Sequence, residues 1–303
     1  MNSSYLLVLL GVVMVSYSGP LVTVAMEQGA NAATVATMRM AVTALILLPM
    51  MFVRRRGQTE LPIVSLRRMT RRQWLWSVAA SVFLALHYLT WMSSLGMTGT
   101  FASVALVCTQ PLFVALLSGV VLKERMPAAA WPGAAVAVIG AGMIALAGVK
   151  SENAGDLSGA ALALVGAIMM AGHWLCNRYA RRTAEALPFM FLLYTQTALL
   201  LACALPFMGG FRLTWPAVWC VLGLAVGCTL LGHSVFTLAL GKVSATVVSF
   251  ALLGEPVGAM IWGILFLEQV PNALVFAGGM VIVVGLALYL LGTTGHLGAK
   301  KRV

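Results

Sequence analysis

Ten stretches of mostly apolar residues follow one another along the chain and leave no room for a separate soluble domain. A run of roughly 20 apolar residues can cross a bilayer as a helix. We number these stretches as spans one to ten: 4–25, 32–53, 74–95, 100–122, 128–149, 157–178, 187–208, 215–239, 244–267 and 271–292. Only 9% of the residues are charged, compared with about 25% in a soluble domain. The sequence therefore predicts an all-α membrane protein with ten transmembrane helices.

The net charge of +11 reports the topology of the chain and not a nucleic-acid partner. Short cytoplasmic loops collect Lys and Arg, and 16 of the 19 basic residues follow an even-numbered span. The remaining three are Lys150 and Arg212, on the other face, and Arg39, inside span two. Span one is too long for the core of a signal peptide, so we expect it to be retained. The pattern predicts a multi-pass protein of the inner membrane with both termini cytoplasmic.

The cysteines give no reason to expect a metal or another cofactor. None of them forms a C-x-x-C pair, and all lie within predicted spans: Cys108, Cys176, Cys203, Cys220 and Cys228. We interpret them as small packing residues and expect no metal and no cofactor.

The two halves of the chain carry the same spacing of helix breakers. Gly96 precedes Pro111 by 15 residues, and Gly241 precedes Pro256 by the same 15. Two further motifs repeat a shorter spacing of three residues: Glu124 to Pro127 and Glu268 to Pro271. The chain is therefore predicted to be duplicated, with a first repeat at 1–149, a second at 157–292 and a basic cytoplasmic tail at 293–303.

A second pair of positions supports the duplication. Arg39 stands ten residues before Pro49 in span two, and Gln196 stands ten residues before Pro206 in span seven. Because each repeat has an odd number of spans, the copies must face opposite ways across the membrane. Many secondary transporters have such inverted repeats, with their binding sites near the midplane where helices are broken.

At these motifs the sequence resembles the drug/metabolite transporter superfamily, specifically its ten-span EamA type. The similarity rests on the Pro-Leu-Phe-Val-Ala-Leu-Leu-Ser-Gly-Val-Val-Leu-Lys-Glu-Arg segment 111–125, on Gly-Glu-Pro-Val at 254–257 with Leu-Glu at 267–268, and on Arg39. It implies two inverted five-helix bundles around a central cavity, with spans five and ten at the periphery. It also implies transport of amino acids, other metabolites or toxic compounds, in many members outward.

Pro111 and Pro256 are candidates for helix breaks that gate a pathway. Proline lacks an N–H and clashes with the preceding turn, so each should free the carbonyl four residues earlier. A freed carbonyl in a wet cavity could bind substrate or an ion. Alternatively, each break is a packing kink whose backbone groups are satisfied by a neighbouring helix.

Glu255 and Arg39 are the clearest charges inside the predicted spans, and such charges are candidates for function. Their counterparts in the other half are the amides Gln110 and Gln196. Glu255 could couple transport to protons, bind a cationic substrate or pair with a buried cation. Arg39 could bind a carboxylate or phosphate of the substrate. In the structural alternative, the two charges pair with each other or hold loops and backbone carbonyls.

Aromatic and imidazole side chains in spans three and six complete the predicted substrate site. They could stack on a flat substrate or bind an amine by cation–π contact, although packing would also explain them. These candidates are Tyr88, Trp91, His173 and Trp174.

These observations predict a secondary transporter that moves small polar or amphipathic metabolites outward by alternating access. One cationic and one anionic anchor favour an amino-acid-like substrate. We expect a small-molecule substrate and the lipid bilayer as partners, and a monomer or homodimer. The alternatives are a membrane-embedded enzyme and a receptor or scaffold. The chain contains neither H-E-x-x-H nor G-x-x-x-x-G-K-[ST], which disfavours the enzyme.

Overall fold

A computed structural model describes residues 3–54, 60–98, 100–123, 126–149, 157–267 and 272–300. Within these ranges the chain is helical and has no strand. The α-helices are α1 Ser3–Val15, α2 Ser18–Glu27, α3 Ala32–Met50, α4 Pro62–Arg67, α5 Arg71–Thr98, α6 Thr100–Val107, α7 Gln110–Val121, α8 Trp131–Val149, α9 Leu157–Arg181, α10 Ala186–Ala204, α11 Trp215–Gly223, α12 Ser234–Ala239, α13 Ala245–Ala251, α14 Glu255–Leu267 and α15 Ala273–Lys300. Sequence features used above that lie outside the described residues include Glu124, Arg125, Lys150, Glu268 and Pro271.

Eight segments in the described part of the chain are long and apolar enough to cross a membrane. They are Leu6–Glu27, Ala32–Met50, Arg71–Met97, Ser103–Val121, Ser158–Arg181, Ala186–Met208, Trp215–Ala239 and Ala245–Leu265. Two further apolar helices, Ala128–Ile144 and Ala273–Tyr289, are shorter. The all-helical, multi-pass prediction is confirmed, and the count of ten spans stays a prediction. Helix α15 continues to Lys300, into the segment 293–303 that is predicted to be a cytoplasmic tail, and the location of this tail stays a prediction.

Spans four and nine are both interrupted where the sequence places its paired prolines. In span four, α6 ends at Val107 and α7 begins at Gln110. In span nine, a 3₁₀ turn at Leu252–Gly254 separates α13 from α14. Both prolines are buried at the second position of the helix that follows the break, where a missing N–H costs nothing. The helices are therefore interrupted at both prolines, and the role of these breaks in gating stays a prediction. The Leu252 carbonyl is nevertheless not free, because it accepts the Glu255 N–H.

Two other spans depart from regular helix. Span one is interrupted at Ser16 and Tyr17, close to its Gly-Pro pair. Span eight contains a π-helical segment, Leu224–His233, that no feature of the sequence predicted. A Cβ added to Gly227 in this segment would lie 1.3 Å from the Tyr17 hydroxyl oxygen, so the glycine permits the approach of spans one and eight.

The connection between spans three and four differs from what its residues suggest. Gly96 to Gly99 has the composition of a tight turn, but α5 stays helical as far as Thr98.

Helices α8 and α15 pack closely and run antiparallel. The backbone of Gly133 lies against that of Tyr289, and the backbone of Gly285 lies against Ala137. The residue numbers rise in one helix as they fall in the other, which fixes the relative direction.

Helix α3 packs against α10. Just before α3, the Asn31 Nδ2 donates to the carbonyl of Gly210, in the segment after α10, at 2.7 Å.

Candidate substrate site

Arg39 lies at the centre of a buried polar cluster. It projects from α3 and is 0% exposed. Its Nε donates to the Thr229 hydroxyl at 2.7 Å, and its Nη1 donates to the Ser18 hydroxyl at 2.9 Å. Ser18 begins the helix after the break in span one, and Thr229 lies in the π-helical segment of span eight. The irregular backbone of spans one and eight thus supplies the two hydroxyls that hold the guanidinium.

The same guanidinium lies over an aromatic ring and retains an unused donor. Its Cζ is 5.0 Å from the centroid of the Tyr88 ring, within the range of a cation–π contact. Its Nη2 is buried and has no hydrogen-bond partner among the described residues. Buried donors without partners are rare in folded proteins and call for an explanation such as a bound ligand or water. Arg39 can therefore accept an anionic group.

Stacked rings from α5, α9 and span eight form a wall beside Arg39. His87 stacks on Trp91 at 5.5 Å, and Trp174 stacks on His233 at 5.8 Å. Tyr88 joins the two pairs, with ring centroids 5.3 Å from His87 and 6.5 Å from His233. The wall is therefore continuous and joins spans of both halves.

This wall contains further buried polar atoms that have no partner among the described residues. They are the Tyr88 hydroxyl, the Trp91 Nε1 and the His233 Nδ1. Together with Arg39, these atoms concentrate unused hydrogen-bonding capacity in one connected region. Such a region suits a polar ligand with an apolar or planar part.

Gln110 and Trp174 connect the break in span four to the aromatic wall. The Trp174 Nε1 donates to the Gln110 Oε1 at 3.1 Å, and both side chains are buried. Gln110 begins α7, directly after the break. A movement at the break would therefore be transmitted to the ring that stacks on His233.

Glu255 lies at the break in span nine and contacts the break in span four. It is 9% exposed, and its Oε2 accepts from the Cys108 thiol at 3.9 Å. The same thiol lies 3.7 Å from the Leu252 carbonyl oxygen. Cys108 thus contacts both broken helices. The sequence suggested only a packing role for this residue.

Arg39 and Glu255 do not form an ion pair. Their charged atoms are not within 4.0 Å of each other, although they are close enough to interact electrostatically. A ligand that carries an anion and a cation could bridge them. The direct pairing that the sequence left open is not observed.

His173 and Gln196 hold neighbouring helices together. The His173 Nδ1 donates to the Ala80 carbonyl at 3.0 Å, and Gln196 accepts from the Ser77 and Ser81 hydroxyls, each at 2.9 Å. His173 still touches the wall, with its ring 4.9 Å from that of Trp174. The hydrogen bonds of Gln196 instead tie α10 to α5, away from Arg39.

Ser18 and Thr229 were not among the sequence-based candidates. Ser18 had a signal, because it adjoins Gly19-Pro20 of span one, whereas Thr229 had no distinguishing signal. His233 is an imidazole in an apolar run, a type of side chain that the sequence suggests for lining a cavity, and it lies in the wall. In the part of the chain that the structure describes, no three His, Cys, Asp or Glu side chains come together as a metal site would require.

Comparison with known proteins assigns the chain to a family over nearly its whole length. The model of the EamA-like transporter family matches residues 2–146 and 157–291. Among curated proteins, the pseudopaline exporter CntI of Pseudomonas aeruginosa strains UCBPP-PA14 and PAO1 is 36% identical over 181 residues. That alignment covers 57% of this chain and 60% of the exporter, so it spans less than two thirds of the relative.

A solved crystal structure shares the fold. It is 17% identical, with a TM-score of 0.75, and the match covers 96% of this chain and 98% of the other. At this identity the similarity concerns the fold alone. Since the family model covers both halves of the sequence, the chain belongs to the EamA-like transporter family.

Proposed function

We propose that this protein is a secondary transporter that exports small, amino-acid-like metabolites by alternating access. The observation that carries the proposal is the buried cluster around Arg39, where side chains from both halves meet and several polar atoms lack partners among the described residues. The family assignment favours transport over the enzyme and the receptor alternatives.

The proposed architecture is two inverted repeats of five spans. Its support is that corresponding spans contact each other: α3 of span two packs against α10 of span seven, α7 of span four against α13 of span nine, and α8 of span five against α15 of span ten. The antiparallel course of α8 and α15 is what an inverted copy requires, since these helices correspond in the two repeats. Counting α8 and α15 as spans gives ten, with boundaries between repeats at the loop 150–156.

The substrate class follows from the charges and rings of the cluster. Arg39 would bind a carboxylate through its unused Nη2, and Glu255 would bind an amine or a proton. The aromatic wall would contact the remaining apolar or planar part of the substrate. Export is supported by the curated relative, whose name describes an exporter.

The conformation described here is interpreted as an occluded one, closed on both sides of the cluster. Next to α3, the Thr214 hydroxyl donates to the Gln28 carbonyl at 2.9 Å, and we assign this contact to the outer side. On the proposed cytoplasmic side, the Arg182 Nη2 donates to the Leu122 carbonyl at 2.8 Å. Both contacts join the two repeats, so each would break in turn as the halves rock.

A thermal-shift screen of a metabolite library on the purified protein, at two pH values, tests the proposal. A ligand that binds the folded state raises Tm by mass action. We expect amino-acid-like compounds with a free carboxylate to raise Tm, and their methyl esters to have little effect. Chemical conversion of a hit would favour the enzyme alternative instead.

A further inference from the structure

A cavity of about 330 Å³ lies between the start of α5 and the end of α9. Its lining includes Arg72, Trp76, Tyr179 and Arg182 and shares no residue with the cluster around Arg39. The volume falls near the lower end of ligand pockets, which measure roughly 300–1,000 Å³. A small head group would fit, whereas a large cofactor would not.

Two guanidinium groups in this cavity share one aromatic platform. The Cζ atoms of Arg72 and Arg182 lie 4.9 Å and 5.8 Å from the centroid of the Tyr179 ring. That ring is itself held by Trp76, which stacks on it at 4.4 Å. Cation–π contact orients a guanidinium through its face and leaves N–H donors at its edge that can bind an anion. One of these donors in Arg182, Nη2, also donates to the Leu122 carbonyl.

The walls of the cavity are rich in hydrogen-bond donors and are fixed to each other. The Gln73 Nε2 donates to the Thr183 hydroxyl at 3.1 Å, which joins α5 to the segment after α9. Thr70 and Gln73 cap the start of α5, a helix of 28 residues whose N-terminal end carries partial positive charge. Arg72 forms no ion pair with any described residue, so its charge is not neutralised within the described chain.

We propose that this cavity binds a phosphate group, carried by a phospholipid head group or by a soluble phosphorylated compound. Two guanidiniums near one ring can bind a phosphate through paired, charge-assisted hydrogen bonds. The hydroxyls of Thr70 and Thr183 can donate to the remaining oxygens. Because the cavity lies between helices of the two halves, a bound phosphate would strengthen their contact on this side.

Thermal unfolding of the full-length protein in detergent tests this site with three probes. They are phosphatidylglycerol, diacylglycerol with the same chains and no phosphate, and inorganic phosphate against chloride at equal ionic strength. We expect phosphatidylglycerol to raise Tm above diacylglycerol. If inorganic phosphate raises Tm as well, the site accepts soluble phosphates; if only phosphatidylglycerol does, the head group is the ligand.

The double variant Arg72→Gln with Arg182→Gln should weaken phosphate binding roughly tenfold for each guanidinium removed. Its control, Arg54→Gln with Arg67→Gln, removes the same charge from exposed positions that lie outside the cavity and form no ion pair with any described residue, and it should bind phosphate as the wild type does. Since Arg182 also holds the Leu122 carbonyl, Arg72→Gln alone provides a second variant that keeps this contact. Equal loss in the control and the double variant would overturn the site, as would the failure of both phosphate probes to raise Tm.

Discussion

Arg39 combines complete burial with a guanidinium nitrogen that has no partner among the described residues. A buried polar group left without a hydrogen bond costs about 1–3 kcal/mol, and more when it is charged. The hydroxyls of Ser18 and Thr229 and the ring of Tyr88 offset part of that cost. A substrate carboxylate would supply the missing contact, which is the physical reason for placing the anionic end of the substrate here.

Arg39→Gln should weaken binding of carboxylate substrates by about 10- to 100-fold, because a charge-assisted hydrogen bond is lost. Titration of Tm against ligand concentration measures the change. Arg212→Gln removes an equal charge from an exposed position and should leave the affinity unchanged. An equal loss for methyl esters in Arg39→Gln would contradict a carboxylate contact and indicate a structural role.

Glu255→Gln should abolish the dependence of transport on a proton gradient while the protein still inserts into the membrane. The amide mimics the protonated carboxyl group and cannot release a proton. Transport in reconstituted vesicles, with and without a pH difference, measures this effect. Glu27→Gln, at an exposed position, is the matched control. Proton dependence that persists in Glu255→Gln would exclude this carboxylate as the coupling group.

Arg39 and Glu255 could both be identified from the sequence, because a charged side chain within an apolar span is conspicuous. The residues that contact them could not be identified in this way. Thr229 is one of many Ser and Thr residues in apolar runs. Because a hydroxyl can donate to a backbone carbonyl of its own helix, the presence of a threonine does not predict a contact with another helix. Gln196 was predicted to line the site from its spacing alone, but its observed hydrogen bonds are with Ser77 and Ser81.

At the scale of helices, the breaks in spans four and nine were predictable because proline removes a backbone donor. The π-helical segment Leu224–His233 was not predictable, since no proline marks it. This segment carries both Thr229 and His233. The element that contributes most to the cluster from the second half was therefore invisible in the sequence.

We expect that Gly133, where α8 and α15 approach most closely, cannot be replaced by a residue with a side chain without loss of stability. A Cβ at residue 133 would lie 2.1 Å from the Tyr289 backbone nitrogen, so Gly133→Ala should destabilise the protein by about 1–3 kcal/mol through overpacking. Gly142→Ala in the same helix meets no atom within 4 Å and should be neutral or slightly stabilising. Thermal unfolding in detergent compares the two, and similar Tm values would contradict the close packing.

At the scale of the molecule, the odd number of predicted spans in each repeat leads to the prediction that the two copies are inverted, and this stays a prediction. The contacts that we propose to close the cluster could not be predicted from the sequence, because they use backbone carbonyls, such as those of Gln28 and Leu122. Every residue has a carbonyl, so residue type carries no information about which ones are used.

The proposed alternating access requires the two halves to move relative to each other around a substrate bound at Arg39. Linking Gln28→Cys to Thr214→Cys with a short bis-methanethiosulfonate reagent, which forms a reducible disulfide with each thiol and releases methanesulfinate, would fix the proposed outer contact, after Cys203→Ser removes the exposed native cysteine. The measurement is transport of the best ligand from the screen by reconstituted vesicles, before linking, after linking and after cleavage of the linker. We predict that transport stops when the two cysteines are linked and returns when the linker is cleaved. Undiminished transport by fully linked protein would contradict it.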